Sequence, residues 1–180
     1  MMDAATPALA GWESFFVIVG SSGGALVGLQ FVVLTLVADR RAPTSRDTVN
    51  AFGTPTVVHL SGALIISAVM SVPWNSLAAA SVAVVILGLA GVGYSLVVIR
   101  RARRQSAYTA DREDWILYIL LPTVVYVVLT GAGLVLTSAP AGALLTIGGS
   151  ALALLLLVVR KAGDTVTYVV AGEHQPPPAQ

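Results

Sequence analysis

The chain has 180 residues, of which 56% are hydrophobic and 11% charged, with a mean hydropathy of +0.85 and a formal net charge of +1. A soluble core of this length needs far less apolar surface, so the composition excludes an ordinary water-soluble domain and points to an integral membrane protein. Cysteine is absent, which excludes disulfides, thiolate metal sites and thiol nucleophiles.

The first long segment, "FFVIVGSSGGALVGLQFVVLTLVADRR" from Phe15 to Arg41, poses a choice between a phosphate-binding loop and one membrane helix. A dinucleotide fingerprint needs glycines at relative positions one, three and six, where the backbone turns and approaches a pyrophosphate. Here Gly20 is followed by Ser22 and Ala25 at those positions, and no return turn fits before Asp39. Ser14 to Ala38 is 25 residues without a charge, and about 20 apolar residues suffice to span a bilayer core. The segment is therefore expected to be a transmembrane helix. Nothing basic precedes it and its apolar run exceeds that of a cleaved signal peptide, so it is expected to stay in the mature chain.

Further uncharged stretches follow at about 51–72, 77–99, 115–137 and 141–159. Each is near the length of a spanning helix. Isolated strands cannot satisfy their backbone in lipid, and the period-two alternation of a barrel is missing. The expected fold is all-α: a bundle of five transmembrane helices with spans at about 14–38, 51–72, 77–99, 115–137 and 141–159. Residues 1–162 form one membrane domain and 163–180 a short cytoplasmic tail. The tail has a β-prone centre at Thr165 to Val170 and a Pro-rich end that carries His174.

Orientation follows from the basic residues. Arg40, Arg41 and Arg46 lie in the first loop, Arg100, Arg101, Arg103, Arg104 and Arg112 in the third, and Arg160 and Lys161 after the fifth span. All ten fall on one side of a five-span chain, so the positive-inside rule places the N-terminus outside and the C-terminus in the cytoplasm. The expected site is the plasma membrane, the inner membrane of a bacterium. Trp12, Trp74 and Trp115 fall at span ends, the interfacial level that indole favours. The run "RRARR" at 100–104 brings a nucleic-acid footprint to mind, but no aromatic platform accompanies it. Its expected roles are topology and contact with anionic lipid headgroups, and no nucleic-acid partner is expected. Asp111, Glu113 and Asp114 offset part of that charge at the start of the fourth span, where the helix dipole favours acids.

The sequence carries an internal match. "PTVVH" at 55–59 recurs as "PTVVY" at 122–126, and Pro73 and Pro140 each follow the first proline by the same interval. Spans 2–3 and 4–5 thus read as a tandem hairpin repeat with both copies in parallel. Pro55 and Pro122 mark expected kinks, because proline removes a backbone hydrogen bond. His59 is the only strongly ionisable side chain inside an expected span, about 12 Å in from Ala51 at 1.5 Å per residue. The repeat assigns Tyr126 to the equivalent position. Together they form the candidate intramembrane polar site, as either interhelical glue or a proton-sensitive constriction.

Small residues mark expected packing faces. Gly20, Gly24 and Gly28 fall on one stripe of the first span, Gly88 and Gly91 on the third, and Gly149, with Gly142, Thr146 and Ala153, on the fifth. The segment "GGALVGLQFVVLTLVADRR" resembles the Gly/Ala-rich opening span of small uncharacterised bacterial multi-pass membrane proteins, a resemblance confined to the first span that implies no activity.

One histidine and no acid within a span leave neither a metal cage nor a nucleophile with its base, so no enzyme, metal or cofactor is expected. Coupled transporters usually bury a carboxylate, and none is buried here. The first functional reading is a non-enzymatic accessory or scaffolding subunit that acts through helix–helix contacts, in a homo-oligomer or a larger membrane complex. The alternative is a homo-oligomeric channel with Glu13 at its outer entrance and a basic inner mouth at Arg40 and Arg41. A transporter or membrane enzyme comes third.

Overall fold

The computed structural model describes the backbone of residues 5–39, 46–104 and 120–172, and side chains within 8–32, 57–100 and 120–160 together with Thr35. Arg40, Arg41, Arg112, Trp115, the acidic run at 111–114 and His174 lie outside the described residues, as do the side chains of Pro55, Arg101, Arg103, Arg104 and Lys161. The described chain is all-α: α1 Ala5–Ala10, α2 Glu13–Asp39, α3 Arg46–Met70, α4 Leu77–Arg104, α5 Leu121–Val135 and α6 Pro140–Gly172. Three stretches are long and apolar enough to cross a membrane: Glu13–Val32, Leu77–Arg100 and Pro140–Arg160. Val57–Met70 and Leu121–Val135 are shorter apolar helical segments.

Short polar side chains set the turn between α3 and α4. Ser71 Oγ donates to the Ser67 carbonyl at 2.9 Å and Trp74 Nε1 donates to the Val69 carbonyl at 2.8 Å. Both carbonyls also accept backbone N–H bonds, Ser67 from Ser71 at 3.0 Å and Val69 from Val72 at 3.2 Å, so side chain and backbone together close the last turn of α3. Ser76 Oγ then accepts from the Ala79 N–H at 3.3 Å, a serine cap at the start of α4. Pro140 opens α6, where its fixed φ suits the first helical turn. Pro122 stands in the first turn of α5, two residues after Leu120, where its missing N–H removes no bond from the helix interior.

Two sequence expectations change here. The β-prone stretch Thr165 to Val170 is helical, because α6 continues to Gly172. Extending an existing helix adds one hydrogen bond per residue, whereas a strand needs a neighbour to pair with. A short helix, α1, also precedes the first expected span and buries Leu9.

The helices close around a core in which Leu60, Leu129, Leu144, Ile147 and Leu154 are fully enclosed. The most extensive pairings are α4 on α5 and α2 on α3, and α6 packs on both α3 and α5. Helix α2 is thus attached to one side of a four-helix group formed by α3 to α6.

Candidate functional site

Helix α3 turns His59, Leu60, Ala63, Ile66 and Ser67 toward the interior, a spacing of three and four that is one helical face. His59 is 6% exposed and Tyr126 of α5 is 4% exposed. The two meet inside the bundle, with His59 Nδ1 and Tyr126 Oη 3.3 Å apart. With the imidazole proton on Nε2 the phenol donates to Nδ1, and in the other tautomer Nδ1–H donates to the phenol oxygen. The rings are tilted at 39° with centroids 5.8 Å apart. Tyr94 of α4 approaches the imidazole edge-on, at 6.0 Å and 79°. A buried polar group needs such a partner, since leaving it unmade costs about 1–3 kcal/mol.

Glycines make room for the tyrosine. A Cβ at Gly91 of α4 would collide with the Tyr126 ring, and one at Gly62 of α3 would lie 2.6 Å from its hydroxyl. The phenol therefore occupies a slot between two backbones. One turn further along α5, a Cβ at Gly88 would lie 2.9 Å from the Thr130 backbone nitrogen. Thr130 Oγ1 in turn donates to the Tyr126 carbonyl at 2.8 Å. The same interface continues to Gly133, where a Cβ would lie 2.9 Å from Val85, and Ser81 Oγ donates across to the Gly133 carbonyl at 2.7 Å. Backbones this close gain dispersion contacts and admit interhelical hydrogen bonds, the forces that hold helices together where no water drives them.

The remaining candidate residues divide. Gly20 faces Ser67, whose Cβ is 3.1 Å from an added Cβ, and Gly24 faces Leu64 at 3.5 Å, so both lie against α3. An added Cβ at Gly28 or at Gly149 meets nothing within 4 Å among the described residues. In α6 it is Gly148, one residue earlier, that turns inward: an added Cβ there would lie 2.9 Å from Phe15 and 3.0 Å from Trp12. Glu13 is exposed in the first turn of α2; Arg100 is exposed in the last turns of α4, and Arg160 is exposed within α6, twenty residues after Pro140. Among the residues with described side chains, the packing positions that the sequence reading lacked are Gly23, Gly62, Gly133, Gly148 and the aromatic Tyr94. Gly62 follows His59 by three residues, a helical neighbour on the same face, and that spacing was its available signal.

This chain matches no protein-family model, no curated protein and no solved structure.

Proposed function

We propose that this chain is a five-span plasma-membrane protein, N-terminus outside and C-terminus cytoplasmic, that serves without enzymatic activity as an accessory or scaffolding subunit. The observation that carries the reading is the outward face of α2 and α4. Val17, Ile18, Leu29, Phe31 and Val32 on α2, and Val82, Ile86, Leu89, Leu96 and Val97 on α4, are all between 42% and 65% exposed. Side chains of this kind call for an apolar medium, either lipid tails or the helices of another subunit. The basic inner ends would meet anionic headgroups.

The internal repeat adds support for a compact, self-contained bundle. His59 and Tyr126 are 67 residues apart, the interval between the two "PTVV" copies, and they touch. Contact between equivalent positions is what a twofold relation along the membrane normal produces for residues near its axis. Ala80, Val84 and Gly88 of α4 are buried, and so are their counterparts Ile147, Ala151 and Leu155 of α6. Two residues of the α2 glycine stripe, Gly20 and Gly24, are occupied by α3 of the same chain, so the stripe is not wholly free for a contact between copies in a homo-oligomeric pore. This favours the subunit role over the channel.

Purification in mild detergent followed by mass measurement tests the reading. The expected result is a monomer or a co-purifying membrane partner. A closed homo-oligomer that passes current in reconstituted bilayers, with the current weakened by Glu13→Gln, would replace it with the channel.

A further inference from the structure

At the end of the bundle where α2 begins, the α1–α2 corner and the α3–α4 turn enclose a half-open cleft with about 170 Å³ of free space. Its walls include Leu9, Glu13, Met70, Val72, Pro73 and Trp74. The Trp74 ring is fixed there by the hydrogen bond from its Nε1 to the Val69 carbonyl. At the start of α2, Trp12, Phe15 and the buried Phe16 form a cluster with centroids 5.3–6.1 Å apart, and Trp12 and Trp74 are indoles of the kind that favour the headgroup level of a bilayer.

Glu13 is the only acid among the residues with described side chains, and among them no cation approaches it. Arg100 lies 23 residues along α4 from Leu77, about 35 Å from this end of the bundle at 1.5 Å per residue. The exposed Glu13 carboxylate is open to a cation that reaches the cleft from outside the described chain. A single carboxylate with apolar walls is a poor site for Mg²⁺ or Ca²⁺, which take six or more oxygen ligands. An anionic headgroup is repelled. An ammonium group fits: it pairs with one carboxylate, tolerates an indole face, and needs no further oxygen cage.

We propose that this cleft binds the ammonium headgroup of a zwitterionic phospholipid, with Glu13 as the charge partner, Trp74 as the aromatic wall, and Leu9, Met70 and Val72 against the glycerol and upper acyl carbons. The apolar walls favour a lipid over a soluble amine, which has nothing to place against them. The inference does not rest on the subunit role, because the cleft is formed by one chain and lies at an interface whichever way the bundle is oriented.

Native mass spectrometry of the full chain in mild detergent, with phosphatidylethanolamine, phosphatidylcholine or phosphatidylglycerol added, reads the proposal directly. Both ammonium lipids should be retained several-fold better than phosphatidylglycerol. Glu13→Gln should remove most of that preference, roughly a tenfold loss, the size of one lost charged contact, while Glu13→Asp should keep most of it. Trp74→Leu should weaken retention of both ammonium lipids. Equal retention of all three lipids overturns the proposal, and so does a preference unchanged in a Glu13→Gln protein that melts like the parent. Loss in Glu13→Asp as complete as in Glu13→Gln removes the charge pairing on which it stands. Free phosphoethanolamine that binds as tightly as the lipid overturns the membrane source.

Discussion

At the scale of single residues, the structure turns on which side chains share a slot. Tyr126 is held between Gly62 and Gly91 and reaches His59 across the bundle, so its hydroxyl and its ring do separate jobs. Tyr126→Phe removes only the hydroxyl and should lower stability by on the order of 1 kcal/mol, the scale of other intramembrane hydrogen bonds. In a double-mutant cycle with His59→Leu the two losses should fall short of their sum, because they report one contact. Strict additivity in thermal melts would show that the contact contributes nothing. Gly91→Ala pushes a methyl group into the ring and should cost about 1–3 kcal/mol, as overpacking of a filled core does. Gly149→Ala meets open space and should leave the melting temperature unchanged or raise it, since alanine is the better helix former. Comparable losses at Gly91 and Gly149 would mean that the slot is not where the structure places it. The pairing of His59 with Tyr126 was legible through the repeated pentapeptide. Tyr94 was not, because no repeat or spacing ties it to either partner.

At the scale of helices, the glycine stripe of α2 is a contact of limited length. Gly20, Gly23 and Gly24 face Ser67 and Leu64 of α3, whereas Gly28 faces none of the described chain. Gly20→Leu should therefore separate the two helices and lower the melting temperature in detergent, whereas Gly28→Leu should be tolerated. If Gly28→Leu is the more damaging of the two, the end of α2 is packed against something other than its own chain. Helix α6 shows the opposite limit of sequence reading. Of its glycine pair, only Gly149 was assigned to a face by spacing, but adjacent residues on a helix are separated by about 100°, and it is Gly148 that meets Trp12 and Phe15. The β-branched run after Lys161 likewise reads as a strand by local propensity, which a continuing helix overrides.

At the scale of the whole molecule, the question is how the bundle sits in a bilayer. In the proposed five-span topology all ten basic residues fall on one side, so the turn that holds Ser76 should be outside and the segment around Ser106 in the cytoplasm. A cysteine at Ser76 should react with an impermeant thiol reagent in intact cells, and one at Ser106 should react only after lysis. The natural chain has no cysteine to interfere, and the reverse pattern would invert the orientation. The proposed topology would set the apolar faces of α2 and α4 toward the acyl chains or a neighbouring subunit, and the Glu13 cleft at the headgroup level.

The all-helical class and the apolar stretches were determined by the sequence alone, because they depend on quantities that add along a chain: hydropathy and helix length. The repeat also belongs there, since it is a comparison of the chain with itself. Which glycine receives which neighbour, how far α2 follows α3, and that Tyr126 fills a slot bounded by α3 and α4 were decided only by tertiary structure. Those outcomes depend on rotation about each helix axis and on the meeting of surfaces dozens of residues apart. A nearly uniform apolar sequence leaves that rotation unmarked: in a bilayer polar residues no longer signal the outside, and it is the shapes of neighbouring side chains that choose the face.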